Sequence, residues 1–182
     1  MDQQTIQTIT AGCALLLASF CMVTDLSRRR IPNVLTLPAI LAGLALGFAG
    51  GSWKGLVLSF LGILLGFALM FLPYYLGGMG AGDVKLMAAL GALAGFPAIF
   101  QVFLYTALAG GLVALLSIAR KKAGMKALKN VFSMIQSFVL FRVWGATSQA
   151  GAAQPHKSVG AIPYGVAIAL GTYAYYLFGS IV

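Results

Sequence analysis

The chain has 182 residues, 60% of them hydrophobic and 8% charged, with a formal net charge of +9. A soluble domain of this length needs far less apolar material, so the composition excludes an ordinary water-soluble globule and points to a bundle of membrane-spanning helices. The excess of Lys and Arg then reads as loops next to anionic lipid on the cytoplasmic side, not as a nucleic-acid footprint.

The first apolar run covers residues 6–24, long enough for a spanning helix. No Lys or Arg precedes Arg28, so the positive region of a cleaved signal peptide is missing. Cys13 and Cys21 sit eight residues apart on this run, about 12 Å along a helix, too far to bridge each other. A polar junction follows, Thr24 to Asn33, holding Asp25, Arg28, Arg29, Arg30 and Pro32. Pro32 separates this helix from the next.

Further runs lie at 34–49, 55–76, 84–96, 98–119 and 159–181. Gly50-Gly51-Ser52-Trp53-Lys54 divides the second from the third, and Pro97 the fourth from the fifth. The expectation is an all-α, polytopic protein of about six spans forming one membrane-embedded domain over 1–182. Placing Arg28–Arg30 inside gives an N-out, C-out topology with eleven of the twelve basic residues inside and only Lys54 outside. The fourth run is short for a bilayer core of about 30 Å, so it either starts below the lipid surface or the membrane thins there.

Residues 120–158 form the one sizeable polar segment. Within it Leu128, Val131, Phe132, Ile135, Phe138 and Val139 recur at helical spacing opposite Lys126, Lys129, Asn130, Ser133 and Gln136. This predicts a basic amphipathic helix on the inner leaflet, between the fifth and sixth spans. Gly145 to Lys157 reads as a loop, and His156 there is the single histidine. With no His or Cys cluster, no metal site is indicated.

The chain contains three acidic residues, all aspartates: Asp2, Asp25 and Asp83. Asp83 closes the stretch Gly77 to Asp83, in which Gly77, Gly78, Gly80 and Gly82 argue against a stable helix. One reading is a turn with Asp83 as N-cap of the next helix. A phosphate-cradling loop is rejected, because Asp83 stands where that motif needs Lys. The third reading is a carboxylate held for chemistry. The topology favours it, since Asp25 ends the first helix and Asp83 begins the fourth, on the same side of the membrane. Two carboxylates a few Å apart share one proton near neutral pH. One then deprotonates a water while the other protonates a scissile carbonyl oxygen. Gly80 and Gly82 suit such a site, allowing positive φ or close approach of an extended peptide. The helix N-terminus and nearby Lys85 are expected to favour the anion at Asp83.

Gly80-Ala81-Gly82-Asp83 resembles the Gly-x-Gly-Asp signature of the membrane aspartyl proteases. Asp25 followed by Ile31-Pro32-Asn33, Lys85 after the second aspartate, and Pro163-Tyr164-Gly165 opening the last helix are similar to the type IV prepilin peptidases. The resemblance implies cleavage of a pilin precursor's leader, after a glycine, at the cytoplasmic face of the bacterial inner membrane. It implies Asp25 and Asp83 as the catalytic pair, Gly80 and Gly82 in the active-site loop, and substrate positioning by Pro32, Asn33, Lys85, Pro163, Tyr164 and Gly165. Larger members carry a cytoplasmic region with paired cysteines that methylates the new N-terminus. Here the loop after Arg28–Arg30 is too short for it. The chain looks like the short, peptidase-only branch serving tight-adherence (Flp-type) pili, with no cofactor and no S-adenosylmethionine use. The implied partners are a prepilin precursor and anionic lipid, with no nucleic acid. Rival readings are a proton-coupled transporter using Asp25 and Asp83 as a relay, a protease cutting within membrane spans, and a structural pilus-assembly subunit.

Overall fold

The computed structural model describes residues 2–75, 79–121 and 164–179, and every regular element among them is helical. Helix α1 covers Gln3–Arg28, α2 Asn33–Tyr75, α3 Ala81–Ala94, α4 Ala98–Lys121 and α5 Tyr164–Phe178. Two of them, α1 and α2, are long and apolar enough to cross a membrane. Met1–Gly111 and Pro163–Val182 make one compact unit, and Leu112–Ile162 a second, of which only the end of α4 is described. The amphipathic segment, the loop with His156, and Gly77, Gly78 and Pro163 lie outside the described residues.

Three boundaries differ from the expectation. The glycine-rich divider at 50–54 is not a loop: only Ser52 leaves helical geometry, at φ 53 and ψ −140, and α2 is a helix folded back on itself there. Its two limbs touch backbone to backbone, since a Cβ added to Gly55 would lie 2.0 Å from the Gly47 carbonyl oxygen. Ser59 Oγ also donates to the Gly43 carbonyl at 3.4 Å across the fold. The second difference is at α3, which begins at Ala81 and not at 84, so Gly82 and Asp83 belong to its first turn. Packing against neighbours overrides the weak helix propensity of one glycine. The third is the end of α5 (Tyr164–Phe178), which stops before Gly179 at φ 75; residues 159–163 lie outside the described residues.

Helix α3 is the centre of the unit. Every residue from Leu86 to Leu93 is buried, so this stretch of the helix has no exposed face and no amphipathic stripe. Its small residues let neighbours come very close: a Cβ added to either Gly62 or Gly91 would lie 2.1 Å from the other's carbonyl oxygen. Met70, Leu86, Met87, Leu90, Ile99 and Ile168 fill the space around it. Around this interior the outside is apolar. Leu16, Phe20 and Val23 of α1, and Phe60, Leu64 and Phe67 of α2, are exposed. Such a surface is at home in lipid and a liability in water.

Candidate active site

Asp25 lies in the last turn of α1. The helix ends at Arg28, and Arg29 turns left-handed (φ 51, ψ 36) so that its N–H reaches the Asp25 carbonyl at 2.9 Å. The side chain points inward and is only 8% exposed. Its Oδ2 accepts the backbone N–H of Gly165, in the first turn of α5, at 2.8 Å. The N–H groups of a helix's first turn have no partner within the helix, so a carboxylate there satisfies one of them.

Asp83 is held by the same kind of contact. Gly80 precedes α3 in extended conformation (φ −84, ψ 151), and its N–H donates to Asp83 Oδ2 at 3.1 Å. The Asp83 N–H in turn donates to the Gly80 carbonyl at 3.1 Å. Asp83 is therefore the third residue of the helix reaching back to the cap, and not the cap itself. Neither Gly80 nor Gly82 has positive φ, which corrects one reason expected for these glycines. Gly82 is required by proximity instead: a Cβ on it would lie 3.0 Å from the Ile31 Cβ. At Gly80 an added Cβ would meet only Asp83 Oδ2, at an ordinary 3.4 Å.

The two carboxylates line one pocket of about 280 Å³, with Arg29, Arg30, Ile31, Gly80, Ala81 and Gly82. Neither carboxylate is ion-paired to another described residue. Asp83 is buried like Asp25, 8% exposed, although it stands in the first turn of α3. A larger cavity, about 530 Å³, is lined by Gln3, Gln7, Thr10, Ser59, Tyr175 and Tyr176 among others, with no charged side chain. It offers no carboxylate, whereas the smaller pocket holds two, so the smaller pocket is the candidate site.

Of the other expected residues, Lys85 donates from its ammonium to Asn33 Oδ1 at 3.0 Å. Pro32 accepts the Leu35 N–H at 3.1 Å and so opens α2. Tyr164 and Gly165 form the start of α5, with Gly165 directly against Asp25. Sequence reasoning missed two things. Arg29 and Arg30, which the sequence does not mark as site residues, line the pocket. The contact of Gly165 with Asp25 joins residues 140 apart, and no local pattern signals it. The described residues contain no group of three or more His, Cys, Asp or Glu side chains that would hold a metal ion.

The family description "Type IV leader peptidase family" matches residues 12–115, a stretch holding Asp25, Gly80, Gly82 and Asp83. No curated protein matches the chain. No solved structure matches it either. The family match covers more than half of the sequence, so the chain belongs to the type IV leader peptidase family and is a proteolytic enzyme.

Proposed function

We propose that this member of the type IV leader peptidase family removes the N-terminal leader of a prepilin by general acid–base hydrolysis between Asp25 and Asp83. The observation that carries the reading is the meeting of both carboxylates in one pocket, although 58 residues separate them in sequence (83 − 25). Two such groups close together hold one proton between them. The ionised carboxylate takes a proton from water, whose oxygen attacks the scissile carbonyl carbon. The protonated carboxyl gives its proton to the carbonyl oxygen. As the tetrahedral intermediate collapses, one of its hydroxyl protons returns to the second carboxylate, the C–N bond breaks, and the proton held by the first carboxylate passes to the leaving amine. No covalent enzyme intermediate is needed.

The bundle crosses the bacterial inner membrane six times, N-out and C-out, with the pocket at the cytoplasmic face. The apolar exterior and the one-sided distribution of Lys and Arg support this orientation. Enclosure of α3 explains how so short a helix is accommodated. Fourteen residues span about 20 Å, and its walls are other helices and not lipid. The chain carries no N-methyltransferase activity.

The test is reconstitution in vesicles with a tight-adherence prepilin, watching for the shortened product. Wild type is expected to cleave. Asp25→Asn and Asp83→Asn are each expected to abolish cleavage while still inserting, because an amide keeps the shape but cannot exchange the proton. Processing at near wild-type rate by either variant would overturn the paired mechanism. Proton flux without cleavage would favour the transporter reading.

A further inference from the structure

Each aspartate gives one carboxyl oxygen to a glycine N–H. Asp83 accepts from Gly80, and Asp25 accepts from Gly165. The two anchors differ in origin. Gly80 is three residues from Asp83 and comes with the turn that starts α3, whereas Gly165 is 140 residues from Asp25 and belongs to another helix. Asp83 is oriented by local structure; Asp25 is oriented only by docking of α5 on α1.

The fit at that contact is close. A Cβ built on Gly165 would lie 2.8 Å from Asp25 Oδ2, 2.9 Å from its Cβ and 3.1 Å from its Cγ. Sliding α5 cannot relieve such a clash, because the helix is pinned further along. At Gly171 an added Cβ would sit 2.3 Å from Thr106 Oγ1 and 2.5 Å from the Thr106 backbone nitrogen. Tyr173 OH is also hydrogen-bonded to Ser19 Oγ of α1. The Asp25 Cβ cannot rotate away, so any side chain at Gly165 must push the two backbones apart and carry the Asp25 carboxyl out of its place.

We propose that Gly165 is a positioning residue for Asp25: its N–H fixes one carboxylate oxygen and its missing side chain admits the carboxyl, so seating α5 on α1 completes the pair. This rests on the two-aspartate reading above. It gives the Tyr164-Gly165 segment a task inside the catalytic centre, in place of the substrate positioning that the resemblance implied for Gly165.

The experiment compares Gly165→Ala with wild type on a tight-adherence prepilin in the same vesicles. A displaced carboxyl lowers kcat by roughly 100-fold and leaves KM within about threefold, since misplacement by about 1 Å has that effect on chemistry. Gly12→Ala, where an added Cβ meets nothing within 4 Å, is expected to match wild type. Thermal unfolding supplies a readout that needs no substrate. Gly165→Ala should lower Tm beside Asp25 and not in an Asp25→Gly background, where the carboxyl is gone. Should Gly165→Ala fail to fold alone, recovery of folded protein by adding Asp25→Gly supports the contact, and failure to recover overturns it. Wild-type kcat for Gly165→Ala, a rise in KM alone, or an equal Tm loss in both backgrounds would also overturn the proposal. If wild type cleaves no prepilin, the peptidase reading fails on its own, and the unfolding cycle still judges the contact.

Discussion

Lys85 donates from Nζ to Asn33 Oδ1 across 3.0 Å, tying the first turn of α3 to the first residue of α2. Both residues lie beside pocket residues: Asn33 is two positions after Ile31, and Lys85 two after Asp83. The tie is exposed to solvent, where such contacts contribute roughly 0.5–1 kcal/mol. Asn33→Ala and Lys85→Met are each expected to lower cleavage by a few-fold, and the double variant no further than either single one. Independent, multiplying losses would mean that the hydrogen bond does not couple the two helix starts.

The two glycines ahead of Asp83 should differ in tolerance. Gly82 faces Ile31 at 3.0 Å from an added Cβ, and Ile31 lines the pocket, so Gly82→Val shifts the strap between α1 and α2. Gly80 has an extended backbone that any residue adopts, and Gly80→Ala keeps the N–H that Asp83 uses. Gly80→Ala is expected within about tenfold of wild type and Gly82→Val at least about 100-fold down, at equal membrane levels. Equal losses at both positions would show that something other than the Ile31 contact decides.

Ser52 carries the fold-back of α2 at φ 53 and ψ −140, in a region that glycine enters freely and serine does not. Its side chain is exposed and makes no contact that glycine would lose. Ser52→Gly is expected to raise stability by about 1 kcal/mol after the greater freedom of glycine in the unfolded chain is deducted. The measurement is thermal unfolding in detergent, and an unchanged or lower Tm would refute the expectation.

Much of this protein is written in short windows of its sequence. Long apolar runs make the described elements helical, because a backbone away from water must satisfy its own hydrogen bonds. Prolines and glycines place the breaks near 30, 52 and 96, since their effect on φ and on the helix ladder needs no partner. The scarcity of acid marks Asp25 and Asp83, and the Gly-x-Gly-Asp stretch marks the family.

Other features depended on which helices pack together. That Gly82 is helical, that Lys85 serves Asn33, that Asp83 is buried, and that Gly165 meets Asp25 are properties of interfaces. An interface forms where two backbones approach closely enough, as at Gly62 with Gly91 and Gly171 with Thr106. A glycine in a sequence says only that such an approach is permitted. Its partner is decided when the ridges of one helix find the gaps in another, tens of residues away.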